Sequence, residues 1–98
     1  MKGNAKIAST MLGYESYGVL TCLLLLEQGA TGQSFGGYRL DAPDGNSEEC
    51  GRWVKEILRV VGVGRWEDVA GKYIRVDGEE WGKIKGIGHI TEDKWFCP

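Results

Sequence analysis

The sequence predicts a small α+β domain: an antiparallel β-sheet in the element order β-β-β-α-β-β, with one main helix packed on it. Three observations lead there. Apolar, β-branched runs come first, one amphipathic helical segment follows, and two further strand-like runs close the chain. The connections between neighbouring runs are short, which favours antiparallel pairing. Glycine supplies 16 of the 98 residues, against a typical ~7%, with only two prolines. That excess points to turns, bulges and close backbone approaches rather than disorder.

The first strand is read in "AKIASTMLGYES" (residues 5–16), where an apolar and β-branched run meets a break near Gly13. "YGVLTCLLLLEQ" (17–28) is the strongest strand. Its alternation puts Val19, Thr21, Leu23 and Leu25 on one face and Leu20, Cys22, Leu24 and Leu26 on the other. Both faces are apolar, so the strand is central and covered on two sides, or covered on one side by a partner chain. A buried helix is the rival reading, opposed by the shortness of the run and by Gly18 and Gly29 on its flanks. The third strand, "QSFGGYRL" (33–40), contains Gly36 and Gly37, which predict a bulge or a close approach by another backbone or by a ligand.

After the loop "DAPDGN" comes the helix. Asn46 is the expected cap, with Glu49 three residues on in capping-box position. Glu48 and Glu49 suit the positive end of the helix dipole and Arg59 the negative end. Trp53, Val54, Ile57, Leu58, Val60 and Val61 form the apolar stripe, and Gly62 is the stop. "VGVGRWEDVAG" predicts a turn with a short helical piece over 66–69. "KYIRVDG" and "GKIKGIGHI" read as the last two strands, and the terminal "TEDKWFCP", with two aromatics, should pack down.

Charge and cysteines narrow the function classes. Fourteen acidic and 12 basic residues leave a net charge of -2. Binding to long nucleic acid calls for a strongly basic surface and is not expected, whereas a local basic pocket for a small anion stays open. Cys22, Cys50 and Cys97 have no Cys-x-x-Cys spacing and one histidine for company, which predicts reduced thiols rather than zinc or a disulfide framework. "MKGNAKIAS" lacks the apolar region of a signal peptide, and "VLTCLLLL" is far shorter than the ~20 residues of a membrane span. A soluble cytoplasmic protein without membrane attachment is expected.

No motif settles the chemistry. "GATGQSFGGYRL" (29–40) lacks the Gly-Lys-Ser/Thr that opens a helix in nucleoside-triphosphate loops, so its glycines either shape a hairpin and bulge or touch a ligand. "GVGRW" and "GIGHI" are two-glycine fragments, weak in so Gly-rich a chain. Arg52, Lys55 and Arg59 form one helical stripe that either lines an anion pocket or faces solvent. Lys72 and Arg75 point to opposite faces of a strand, whereas Lys83 and Lys85 share one. His89 is the one candidate general base, with no nucleophile at a recognisable spacing. Glu79–Glu80 read as turn residues. Trp53, Trp66, Trp81 and Trp95, with Phe35 and Tyr38, are partly core and partly candidates for base stacking.

Four segments, "IASTMLGYESYGVLT", "GQSFGGYRLD", "VGVGRWEDVAGKYIRV" and "GIGHITEDKWF", together resemble the phage Thoeris anti-defence sponge family, first member type, in order and over nearly the whole chain. The resemblance implies a non-enzymatic protein of the infected bacterial cytoplasm that needs no cofactor. It would bind cyclic ADP-ribose isomers made by a TIR-domain defence enzyme, hold them intact, and carry a second site for cyclic trinucleotides. It also implies a homo-oligomer, dimer or hexamer, with ligands between protomers. By motif it points to Phe35, Gly36 and Tyr38 for stacking and close approach, to Trp66 with Lys72 and Arg75 as phosphate partners, and to His89. Arg52 and Arg59 are added on physical grounds for a second anionic site. The rivals are a protein–protein inhibitor acting through exposed aromatics and, more weakly, a signal-cleaving enzyme with His89 as base.

Overall fold

A computed structural model describes residues 2–15, 18–43, 45–78 and 83–98; the expectations for Glu79, Glu80 and Trp81 lie outside the described residues. The chain runs β1 (Lys2–Tyr14), β2 (Leu20–Gln28), β3 (Thr31–Tyr38), α1 (Glu48–Val61), a single 3-10 turn (Trp66–Asp68), β4 (Tyr73–Gly78), β5 (Ile84–Gly88) and β6 (Trp95–Phe96). All pairings are antiparallel, in the order β3-β2-β1-β4-β5-β6. The α+β class and the single helix among the described residues agree with expectation. The order β-β-β-α-β-β does not: the aromatic pair of the C-terminal segment forms a sixth strand, as Ile87 and Gly88 pair with Phe96 and Trp95.

The hairpin between β2 and β3 turns on Gly29–Ala30. Positive φ is confined to Gly29 (60°), the first of the two turn residues, as a type II′ turn requires. The Thr31 hydroxyl donates to the Gln28 carbonyl (2.8 Å) and closes the turn. The pairing from Thr21 to Gln28 has no register shift, so the expected bulge in β3 does not occur. The irregularities lie instead between Ile7 and Ser9 in β1 and beside Gly78 in β4.

Helix α1 begins on Ser47, but Asn46 supplies the capping oxygen: its Oδ1 accepts from the Glu48 amide at 2.8 Å. The Glu49 carboxylate, expected to close a capping box, pairs with Arg52. The helix ends at Gly62, whose φ of 86° lets its amide return to the Leu58 carbonyl. Trp53, Ile57, Val60 and Val61 are buried, each burial stabilising by roughly 1.5–3 kcal/mol.

That apolar stripe covers one face of the sheet. Register places Ile7, Thr10 and Leu12 of β1 opposite Leu26, Leu24 and Cys22, and Leu24 and Cys22 opposite Phe35 and Gly37. Ala5 and Gly3 continue the row to Ile74 and Val76 of β4, and Val76 to Ile87 of β5. The sheet is strongly curled around this core. Phe35 of β3 and Phe96 of β6, on the two outermost strands, have ring centroids 6.0 Å apart. The opposite, convex face of β2 shows Leu23 half-buried and Leu25 43% exposed.

Candidate functional site

The glycine pair in β3 answers to the protein's own interior. A Cβ on Gly37 would stand 2.8 Å from Cε2 and Cζ2 of Trp53 and from the Leu40 side chain. Trp53 lies against Phe35 (centroids 5.4 Å) and edge-on to Phe96 (4.8 Å). A Cβ on Gly36 would stand 2.6 Å from the Cys22 carbonyl oxygen and from the Leu23 side chain. The close approach foreseen from sequence is therefore that of a core tryptophan and a neighbouring strand. Phe35, expected to stack on a ligand, is 4% exposed and belongs to the aromatic core. Tyr38 is 55% exposed and available for stacking.

Arg75 and His89 meet at one loop. Arg75 Nε donates to the His89 carbonyl (2.7 Å) and Nη2 to the Glu92 carbonyl (2.6 Å), while the guanidinium stacks over the Trp95 ring at 4.8 Å. Arg75, Gly88 and Trp95 are register neighbours across β4, β5 and β6. Gly88 is what lets the indole lie flat there, because a Cβ at that position would stand 2.7 Å from the ring. The His89 Nδ1 accepts two backbone amides, from Thr91 (3.1 Å) and Glu92 (3.0 Å), and its Nε2 is 3.4 Å from the Glu92 carboxylate. Arg75 and His89 thus hold residues 89–94 against the sheet. In "GIGHI", Gly86 and Gly88 make room for Cys97 and Trp95.

The other candidates are dispersed. Trp66 is half-buried and donates its indole N–H to the Thr10 hydroxyl (3.2 Å). Lys72 is exposed just before β4, and its carbonyl receives the Ile7 amide (2.8 Å). On α1, Arg52 pairs with Glu49 (2.5 Å), and its guanidinium lies 5.5 Å from the Phe96 centroid. Arg59 pairs with Glu56 (2.6 Å) and also donates to the Trp95 carbonyl (2.8 Å). Glu48, Glu49 and Glu56 interrupt the cationic stripe foreseen for this helix, and the Arg52 guanidinium holds the Glu49 carboxyl below the usual carboxylate range. Tyr38 sits opposite Thr21, in register with Gly13, whereas Lys6 pairs with Tyr73 beside Lys72. These rows lie seven residues apart along β1, roughly 23 Å at ~3.3 Å per residue. One protomer does not gather the nine residues into one pocket.

A depression missed at the level of sequence lies where the β3–α1 loop meets the start of β2. It has a volume of about 840 Å³ and is lined by Arg39, Asp41, Pro43, Asn46 and Glu48, with Val19 on its wall. Among the described residues Arg39 is the one non-glycine with positive φ (54°), a conformation L-residues adopt at a cost. The clue in sequence was the charged, turn-rich run "YRLDAPDGN" beside the glycine pair. Space of this size suits a nucleotide-sized ligand, with one cation, Arg39, and three carboxylates, Asp41, Glu48 and Glu49, on its walls.

Among the described residues no group of three or more His, Cys, Asp or Glu side chains could hold a metal ion. Burial, with the neighbouring Cys50 thiol adding to it, pushes the Cys22 thiol up to about 12, which makes it a poor nucleophile. Among the described residues no helix is long and apolar enough to cross a membrane. No known protein family, curated protein or solved structure matches the chain.

Proposed function

We propose that this protein is a non-catalytic sponge for cyclic ADP-ribose-type signalling nucleotides, with a second capacity for cyclic trinucleotides, acting in the cytoplasm of an infected bacterium. The reading rests on the resemblance of four sequence segments to the anti-defence sponge family. The dispersal of the candidate residues is compatible with ligands held between protomers: Tyr38 and Lys72 lie at opposite ends of the sheet, and a second copy can bring one next to the other. The convex face supplies the surface for such a homo-oligomer, dimer or hexamer, with Leu25, Tyr38 and Tyr73 exposed and Met11 and Leu23 half-buried. Within a protomer the depression beside Arg39 is the second candidate space. Arg39 would face a phosphate and Asp41 a ribose hydroxyl.

The test is capture and release. Purified protein is mixed with cyclic ADP-ribose isomers, freed of unbound ligand, heat-denatured, and the supernatant analysed by chromatography and mass spectrometry. The expected result is intact nucleotide at near-stoichiometric yield. A cleaved product would make the protein an enzyme. No capture of any isomer, or of cyclic trinucleotides, would leave the exposed aromatics of the convex face as the surface of a direct protein inhibitor.

A further inference from the structure

We propose that His89 is an acid-released latch that fastens the Thr91 and Glu92 amides of the 89–94 loop only while its imidazole is neutral. The Arg75 contacts and the His89–Lys94 and Lys94–Glu92 backbone bonds also hold the loop. The proposal does not rest on the nucleotide reading.

The argument is one of donor count. Two backbone amides, of Thr91 and Glu92, converge on Nδ1 at 3.1 and 3.0 Å, and the Thr91 hydroxyl stands 3.5 Å away. An sp² nitrogen accepts through one lone pair, so Nδ1 carries no proton and the neutral ring bears its N–H on Nε2. That N–H faces the Glu92 carboxylate at 3.4 Å. Turning the ring over would set a C–H against both amides, so the pattern allows one tautomer and one orientation. A second proton must go to Nδ1, where it would point at two N–H donors. Both bonds then break, and the turn they close opens.

The charged groups around the ring are few. Glu92 faces Nε2, and Lys94 sits behind it, 3.4 Å from the same carboxylate oxygen. From β4, Arg75 reaches the backbone carbonyls of His89 and Glu92. From α1 come the helix C-terminus at Gly62, where a Cβ would stand 3.1 Å from Nε2, and Arg59, bound to the Trp95 carbonyl. Glu92 and the helix C-terminus accommodate a cationic ring on the Nε2 side; neither relieves the donor clash at Nδ1. Opening the turn also withdraws the Glu92 carbonyl from Arg75. The guanidinium gains a free donor as the imidazole gains its charge.

The test is NMR on the intact chain between about pH 8 and pH 5, the span in which histidines ordinarily titrate. Imidazole ¹⁵N shifts should identify the Nε2–H tautomer at the upper end. The amides of Thr91 and Glu92 should move with the same midpoint as the ring, and their hydrogen-exchange protection should fall about tenfold or more, corrected for intrinsic rates. In His89→Asn, whose Oδ1 stands one bond from Cγ as Nδ1 does and can accept in its place, both amides should stay protected across the range. In Glu92→Gln the transition should persist, since its source is the ring and not the carboxylate. An Nδ1–H tautomer, amides that ignore the ring's titration, a transition that survives in His89→Asn, or one that vanishes in Glu92→Gln would each overturn the latch.

Discussion

Adding one methyl group at Gly37 and the same methyl at Gly51 should change stability in opposite directions. At Gly37 the new Cβ would stand 2.8 Å from two indole carbons of Trp53 and from a Leu40 methyl, well inside carbon–carbon contact of ~3.5–4.0 Å. Trp53 cannot retreat freely, because Phe35 and Phe96 hold it at centroid distances of 5.4 and 4.8 Å. The φ of Gly37 is not positive, so Ala suits the backbone and the whole penalty is steric. Overpacking of this kind costs about 1–3 kcal/mol, which for a domain near 100 residues lowers Tm by about 5–15 °C. At Gly51, inside α1, a Cβ meets nothing within 4 Å. Gly→Ala there gains helix propensity of about 0.5–1 kcal/mol and should raise Tm by a few degrees. Thermal unfolding followed by far-UV circular dichroism and by tryptophan fluorescence reads both. A Gly37→Ala protein as stable as the parent would refute the reasoning and return the glycine pair to a ligand-facing role.

Three further outcomes are expected. Arg75→Ala should cost about 1–2 kcal/mol through two lost carbonyl bonds and the stack on Trp95. Arg75→Lys should not restore it, because one ammonium cannot serve two carbonyls and a ring face together; denaturant titration decides, and full rescue by Lys would disprove the fork geometry. At pH 8 an aromatic disulfide reagent should modify exposed Cys97 at once and reach Cys22 only after denaturation. Since the Cys22 thiol is raised from 9.0 to about 12, folding favours its protonated form, and that contribution should be lost as pH climbs from about 9 toward 12; equal reaction rates for the two thiols would sink this. Glu49 runs the other way. Its carboxyl is lowered from 4.5, so the stability it lends is present above that pH and fades as acid protonates it. Carboxyl ¹³C titration should show Glu49 rising in Arg52→Ala, and an unmoved curve would show that the exposed pair is not formed in solution.

The helix was legible because its information is local. The spacing of Trp53, Ile57, Val60 and Val61 marks the buried face, and Gly62 can take the left-handed φ that ends the helix. The hairpin at Gly29, one of two readings the sequence left open, rests on the same kind of local signal. Strand β6 was not legible, since Trp95 and Phe96 make a strand only by pairing with Ile87 and Gly88. The site was harder still. Phe35 and Tyr38 are aromatics three residues apart in one strand, yet the first is core and the second exposed. Composition could not say which, because that depends on which face of the sheet α1 covers. Arg75 and His89 were singled out as ligand contacts, and the groups they bind in the structure are carbonyls and amides of the chain's own loop. A backbone carbonyl and a phosphate oxygen make the same demand on a guanidinium.

What the amino-acid order determined by itself is whatever rests on neighbours a few residues away: strand and helix periodicity, the cap at Asn46, the stop at Gly62, the turn at Gly29 and the apolar excess of β2. Tertiary structure alone decided what depends on residues far apart in the chain. It curled the sheet until Phe35 met Phe96, set Trp53 on Gly37, laid Trp95 over Gly88 beneath Arg75, and brought Val19 against the loop of Arg39, Asp41 and Glu48 around one depression. The physical reason is range: a dihedral preference acts within one turn of the chain, whereas packing and hydrogen bonding select partners by distance in space.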